Sequence, residues 1–285
     1  MRRVTLPAGL ALFLLLQTAA GATAVVRPWS RAVAASAQRI GMEIMIPAYW
    51  YQDTPSWTTL ATMRNPPSWH GGKSSVTVSE AIFNPCAPGG GTCSPGVAPN
   101  PELRREMQAA QQNGVTFFGY VWTGGGLVPA AKVRAEVREY ASWYGLRSIF
   151  FDGASTSCAV ENSYYLPLYR YVHSRHGKVI LNPGTQPPSC YMRATNQISV
   201  FEGTAVQFAA YAQAAWMASY AAARFIAIVH TTAWASQMAD AVAQAGQRDH
   251  IGNAYITDQA PPNPYSKLPA YWHREVTTVS NSFAQ

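Results

Sequence analysis

Apolar residues in this chain gather in short continuous runs, and the segments between the runs have helical character. Runs of about four to eight apolar residues are typical of parallel strands that are buried on both faces. The predicted strands occupy eight segments: 41–50, 74–85, 114–123, 147–152, 178–184, 197–202, 224–230 and 250–258. Helices are predicted between and after them, at 58–64, 101–113, 129–144, 162–176, 205–221, 234–247 and 268–282. Eight strands alternating with helices in about 245 residues predict an α/β protein, a single-domain (β/α)8 (TIM) barrel.

A doubly wound open sheet is the alternative to the barrel. Such sheets usually have fewer strands, and no G-x-G-x-x-G motif opens any of the predicted helices. We therefore expect residues 41–285 to form one barrel domain, since no repeat, low-complexity tract or linker marks a second domain.

Acidic residues are scarce, 14 in the whole chain, yet four of them stand near the ends of the second, fourth, sixth and eighth predicted strands. The C-terminal ends of all barrel strands converge on one face, and side chains from alternate strands share its layers. We therefore expect Asp152, Glu202 and Asp258 to open into one cleft, with Glu80 deeper in a structural role. Each acid could instead cap the helix after its strand, and the sequence leaves that alternative open.

Aromatic and polar residues near the same strand ends suit a carbohydrate, because Tyr and Trp combine flat apolar faces with polar edges. The candidate substrate-binding residues are Tyr49, Asn84, Tyr120, Trp122, Asn182, His230 and Asp258. Glycoside hydrolysis requires a pair of carboxyl groups, so Asp152 and Glu202 are the candidate catalytic residues.

The two carboxyl groups have different neighbours along the chain. Asp152 opens onto Gly153 and small polar residues, which predicts an ionised carboxylate that acts as nucleophile or charged stabiliser. A nearby Asp152 charge would raise the pKa of Glu202, which predicts Glu202 as the general acid/base.

The N-terminus predicts export. Arg2 and Arg3 precede the apolar run 10–16 and small residues with A-x-A patterns, so residues 1–24 are predicted to be a signal peptide and residues 25–40 a leader. An uncleaved membrane anchor over 6–26 is the alternative. We expect a secreted protein, extracellular or periplasmic, with no membrane insertion after signal cleavage.

Four cysteines in an exported protein suggest two disulfides. Cys86 and Cys93 share one Gly/Pro-rich loop and form the natural pair, which leaves Cys158 and Cys190 to bridge two other loops. A tetrathiolate zinc site is disfavoured, because the three spacings between the cysteines contain no C-x-x-C.

Other chemistries find no support in the sequence. G-x-S-x-G, H-E-x-x-H and phosphate-binding loop motifs are absent, so neither a metal nor a cofactor is expected. The formal net charge is +7, but no run of Lys or Arg marks a nucleic-acid surface. We expect a monomer whose partner is a polysaccharide.

Several blocks of the sequence resemble the spherulin-4 family over 45–272. They are VWTGGG, RSIFFDG, VILNPGTQPPSCY, ISVFEG and AYITDQAPPNPYSKLPAYW. The resemblance implies a (β/α)8 barrel and an endo-acting glycoside hydrolase for α-1,4-linked galactosamine/N-acetylgalactosamine exopolysaccharide, such as the galactosaminogalactan of microbial biofilms. By position, the family's acids on strands four and six fall on Asp152 and Glu202.

One position departs from the family pattern. The resemblance implies Asp-Glu after the phenylalanines of strand four, whereas this chain has Gly153 in the second place. Two hypotheses follow: a secreted glycoside hydrolase that keeps Asp152 and Glu202, or a non-catalytic glycan-binding or cell-envelope protein on the same barrel, which Gly153 favours.

Overall fold

Eight parallel strands close into a barrel in the computed structural model, which describes residues 41–70, 73–86 and 94–282. The barrel strands are β1 (Glu43–Ala48), β4 (Val78–Phe83), β5 (Thr116–Trp122), β6 (Ile149–Asp152), β7 (Val179–Asn182), β8 (Gln197–Thr204), β9 (Phe225–His230) and β10 (Asn253–Ile256). Their order around the barrel is β1-β10-β9-β8-β7-β6-β5-β4, so neighbours in sequence are neighbours in space. The predicted (β/α)8 barrel is confirmed.

Helices follow the barrel strands and cover the outside of the barrel, as parallel strands require. They are α1 (Pro55–Thr62), α2 (Pro101–Gln112), α3 (Ala130–Glu139), α4 (Cys158–Val160), α5 (Leu166–His173), α6 (Ala205–Ala209), α7 (Ala235–Ala243) and α8 (Trp272–Asn281). The start of α2 is capped by its sequence: Pro101 occupies the first turn, and the Asn100 side chain accepts hydrogen bonds from the backbone N–H groups of Glu102 and Leu103.

Two predicted elements differ from the structure. The β-branched run 74–85 is two strands, because β3 (Lys73–Val76) pairs antiparallel with β2 (Pro67–His70) outside the barrel and only β4 joins it. The Ala-rich helix predicted over 205–221 is wrong beyond Ala209. Gln186 accepts hydrogen bonds from the Tyr211 hydroxyl and the Ala214 N–H, and these tertiary contacts replace the continued helix.

The barrel strands are buried on both faces, which is why they appear in the sequence as continuous apolar runs. In register, Trp122 lies opposite Asp152, and Asp152 lies opposite Asn182. The last residues of β5, β6 and β7 therefore stand at one level at the C-terminal face, where they can act together.

Glu80 lies in the opposite half of the barrel, where its carboxylate accepts a hydrogen bond from Gln197 Nε2 (2.9 Å). It is opposite Thr116, the first residue of β5, and is buried. Burial raises its pKa from 4.5 to about 7, against the smaller opposing effects of the Gln197 bond and the Lys178 charge. This matches the deeper, structural position expected from the sequence.

Replacing Glu80 with glutamine should make stability less sensitive to pH. A carboxyl group whose pKa is raised by folding stabilises the fold below pH 4.5, and this contribution is lost as the pH rises through about 7. The free energy of unfolding of Glu80→Gln, relative to wild type, should therefore rise by about 3 kcal/mol between pH 4 and pH 8. Urea unfolding at both pH values checks this, with the exposed Glu102→Gln as control. If the free energies of unfolding of Glu80→Gln and wild type differed by the same amount at both pH values, the prediction would be contradicted.

The predicted Cys158–Cys190 disulfide is present, with a Cα–Cα distance of 5.9 Å. It joins the start of α4 to the turn Ser189–Arg193, so it links the loops that follow β6 and β7. The other predicted bridge, Cys86–Cys93, involves Cys93 and lies outside the described residues, as do the signal peptide 1–24, the leader 25–40 and the alternative anchor 6–26. Within the described part of the chain, no helix is long and apolar enough to cross a bilayer.

Candidate functional site

Three polar side chains stand side by side on adjacent strands at the C-terminal face of the barrel. Asp152 and Asn182 are the last residues of β6 and β7, and Glu202 lies near the end of β8. The register of β8 against β9 is irregular between Ser199 and Phe201, so β8 carries a bulge just before Glu202. Bulges next to functional sites re-aim side chains, and here the strand delivers Glu202 beside Asn182.

The Asn182 amide bridges the two carboxylates. Its Nδ2 group donates one hydrogen bond to Asp152 Oδ1 (2.8 Å) and one to Glu202 Oε2 (2.6 Å). Both bonds start from the same nitrogen, so the two accepting oxygens lie at most about 5.4 Å apart. The structure thus brings together the two acids that the sequence predicted as a pair.

The orientation of this amide is determined by the backbone. Asn182 Oδ1 accepts a hydrogen bond from the Gly184 N–H (3.0 Å), so the oxygen faces the backbone and the NH2 group faces the carboxylates. The Gly184 carbonyl in turn accepts from the Glu202 N–H (3.3 Å), which ties the turn after β7 to β8. An amide in this orientation can donate one N–H hydrogen bond to each carboxylate.

Tyrosine hydroxyls supply the other direct contacts to the pair. Tyr120 donates to Asp152 Oδ2 (2.8 Å), and Tyr265 donates to Glu202 Oε1 (2.6 Å). Burial, followed by the charge of the bonded carboxylate, raises the pKa of both tyrosines. Both hydroxyls therefore stay protonated at neutral pH and act as hydrogen-bond donors. The Tyr49 ring packs edge-on against both, with centroid distances of 5.4 and 5.7 Å.

The sequence predicts an ionised Asp152, and in the structure the pKa of this carboxyl group is raised. Burial and then the Glu202 charge raise its pKa to about 6, although hydrogen bonds from Tyr120, the Gly153 N–H and Asn182 act in the opposite direction. Asp152 is still mainly ionised at pH 7, but it takes up a proton as the pH falls through about 6.

These residues surround a cavity of about 140 Å³ at the mouth of the barrel. Its lining comprises Pro47, Tyr49, Tyr120, Asp152, Asn182, Glu202, Ile228, Pro262, Asn263, Pro264 and Tyr265. The cavity is small beside the pockets of roughly 300–1,000 Å³ that hold drug-sized ligands, and it suits a group about the size of one sugar ring. Among the described residues, no group of three or more His, Cys, Asp or Glu side chains is placed to hold a metal.

Trp122 occupies the space beside Gly153. Gly153 has a φ of +59°, and a Cβ added to it would lie 2.5 Å from Cη2 and 2.9 Å from Cε3 of the Trp122 indole. The position therefore requires glycine for both its backbone conformation and its contact with the ring. Trp122 lies next to the cavity-lining residues without lining the cavity itself.

Three other predicted substrate-binding residues do not line the cavity. Asn84 is buried and accepts a hydrogen bond from the Cys86 N–H (3.2 Å). His230 is half-buried beside the Thr231 hydroxyl (2.9 Å), and burial lowers its pKa. Asp258, which was expected in the same cleft, does not line the cavity; its oxygens accept from Gln259 Nε2 (2.6 Å) and the Ala270 N–H (3.2 Å) and so hold the loop after β10.

Tyr265 is the site residue that reasoning from strand ends missed. It lies nine residues beyond the end of β10 at Ile256, in a loop that returns over the cavity. The unusual NPY sequence at 263–265, which contributed to the family resemblance, was the signal that could have identified it.

Comparison with known proteins identifies the family of the chain. The sequence profile of spherulation-specific family 4 matches residues 43–279. Spherulin-4 of Physarum polycephalum is 31% identical over 249 residues, which cover 84% of this chain and 70% of that protein. The chain belongs to the spherulin-4 family.

Among solved structures, this member of the spherulin-4 family is similar to Aspergillus clavatus Sph3 in complex with GalNAc. The match has a TM-score of 0.68 and 21% sequence identity, and it covers 85% of this chain and 98% of that one. At this identity the likeness shows the fold, which is the (β/α)8 barrel that the sequence predicted.

Proposed function

We propose that this chain is an endo-acting glycoside hydrolase that cleaves α-1,4-linked galactosamine or N-acetylgalactosamine polymers. The observation that carries the proposal is the pair Asp152 and Glu202, held by one amide nitrogen with their nearest bonded oxygens at most about 5.4 Å apart. The sugar complex of Sph3 and membership of the spherulin-4 family support the substrate class.

The upper bound of about 5.4 Å between the two bonded carboxylate oxygens supports a retaining mechanism. Retaining glycosidases hold the two groups about 5–5.5 Å apart, whereas inverting ones leave about 6.5–9.5 Å for a water molecule. Asp152, ionised at neutral pH, attacks the anomeric carbon as Glu202 protonates the leaving oxygen. Glu202 then removes a proton from water, which releases the sugar from Asp152 and restores both groups.

The experiment is reducing-end release from partly deacetylated α-1,4-galactosaminan, with chain length followed by size-exclusion chromatography. Wild type should shorten the chains early in the reaction, as endo-cleavage does, and NMR should show the α anomer first. The matched control is Asp240→Asn, which removes an exposed carboxylate on α7 and should behave as wild type. Wild-type release no greater than that of Asp152→Asn would contradict the hydrolase.

A non-catalytic glycan-binding or cell-envelope protein is the second candidate, and Gly153 favours it, since the resemblance implies a glutamate there. In that case wild type and Asp152→Asn would bind the polymer equally and neither would shorten it.

We also propose that the protein is secreted, which the predicted signal over 1–24 and the Cys158–Cys190 disulfide support.

A further inference from the structure

In the described part of the chain, the most exposed large apolar side chains lie on the same face of the barrel. They are Tyr51, Val97, Leu127, Val206 and Trp234. Four of them lie between the end of a barrel strand and the following helix, and Val206 lies in the first turn of α6 directly after β8, so all five are on the face that carries the carboxylate pair. Single exposed apolar residues are ordinary, but their confinement to one face indicates a surface that meets something partly apolar.

Trp234 is the largest of these side chains, and 68% of it is exposed. It follows β9, which pairs with β8, and Glu202 of β8 lies opposite Ile228 of β9. The indole therefore stands in the loop next to the Glu202 side of the site. The cavity itself is about the size of one sugar ring, so further units of a polymer bound there must lie outside it, on the face that carries these loops.

The loop that carries Trp234 is held in place. The Thr231 N–H donates to the Gln259 carbonyl (2.8 Å), the Thr232 N–H donates to the Thr257 carbonyl (3.0 Å), and Thr232 is fully buried. The Tyr271 hydroxyl donates to the Thr232 carbonyl (3.0 Å), which adds a third attachment. An exposed ring on a fixed loop can bind a ligand without the entropic cost of ordering the loop.

We propose that Trp234 is an outer platform that stacks on a sugar ring of the polymer beyond the units held in the cavity. The apolar C–H face of a pyranose fits the flat indole, which has a polar N–H at its edge. This inference rests on the proposed function for the identity of the sugar, but the stacking role requires only a polysaccharide in the cleft.

Binding measured without turnover tests the proposal. In an Asp152→Asn background, Trp234→Ala should weaken binding to α-1,4-galactosaminan about tenfold, the effect of one aromatic contact of about 1.4 kcal/mol. Affinity for the monosaccharide GalNAc should not change, because one sugar fits within the cavity. Trp234→Phe should recover most of the affinity for the polymer. Val206→Ala shortens another exposed side chain of the same face that has no ring to stack, so it should match the parent.

The outcomes separate this inference from the proposed function. Unchanged polymer affinity in Trp234→Ala, or an equal loss for polymer and monosaccharide, would overturn the platform. A panel with chitosan and cellulose is included. A parent that binds one of those polymers and loses affinity in Trp234→Ala would support the platform and overturn only the galactosamine assignment. A parent that binds no polysaccharide of the panel would overturn both.

Discussion

Asp152→Asn should lower kcat on galactosaminan by at least about a thousandfold, which is the effect expected when the nucleophile of a covalent mechanism is removed. Asparagine has the same shape but cannot form the glycosyl–enzyme bond. Its amide oxygen can still accept from Tyr120 or from Asn182, so the variant should fold and bind the polymer. Steady-state kinetics with circular dichroism of the variant checks both points.

The pH profile of wild type distinguishes the two possible roles of Asp152. A nucleophile must be ionised, and the pKa of Asp152 is about 6, so kcat/KM should fall as the pH decreases through about 6. If Asp152 were the general acid, activity would instead fall as the pH increases through the same value. That result would exchange the roles of Asp152 and Glu202.

Substrates with an activated leaving group give an independent comparison. Such a group needs little protonation, so Glu202→Gln should keep more activity on an aryl glycoside than on the polymer, whereas Asp152→Asn should fail on both. Equal activity of Glu202→Gln and wild type on the polymer would contradict the acid/base role and favour the binding protein.

The barrel and its acid pair could be predicted from sequence because both depend on local patterns. Parallel strands buried on both faces must be apolar throughout, and a polar residue that ends such a run marks the C-terminal face. Asp152 and Glu202 follow this rule directly. Asn182 follows it too, but its bridging role depends on the Gly184 N–H that orients its amide, and no spacing in the sequence indicates that contact.

Asp258 and Tyr265 show where local patterns stop being informative. Both follow β10, and the strand-end pattern predicts only Asp258 for the cleft. The loop instead bonds Asp258 to the Ala270 N–H and carries Tyr265 back to Glu202. The path of a loop without periodicity depends on tertiary contacts. The same is true of residues 210–214, where contacts with Gln186 end a helix that alanine content alone would extend.

Gly153 is the position where a small substitution should have a large effect on stability. Gly153→Ala adds a methyl group at positive φ, which costs about 1–2 kcal/mol, and forces it against the Trp122 ring, which costs about 1–3 kcal/mol more. Gly145→Ala is the matched control, since Gly145 also has positive φ (+72°) but nothing within 4 Å of an added Cβ. Chemical denaturation should therefore show a clearly larger loss for Gly153→Ala.

A double-mutant cycle assigns the difference to the ring. Combined with Trp122→Ala, Gly153→Ala should cost no more than Gly145→Ala, because only the backbone strain remains. An unchanged penalty in the absence of the indole would show that Trp122 is not the cause.

Gly153→Glu applies the same reasoning to function by supplying the glutamate that the family resemblance implies. The glutamate side chain cannot be accommodated while Trp122 keeps its position, so either the glutamate or the indole must be displaced. Both are next to Asp152, whose backbone carbonyl accepts a hydrogen bond from the N–H of Thr123, the residue after Trp122. We expect the variant to lose stability and at least about tenfold in kcat/KM, because displacement of a residue next to the reacting groups misplaces the nucleophile. A gain in activity at unchanged stability would instead mean that Trp122 moves freely and that Gly153 had weakened a hydrolase able to use the glutamate.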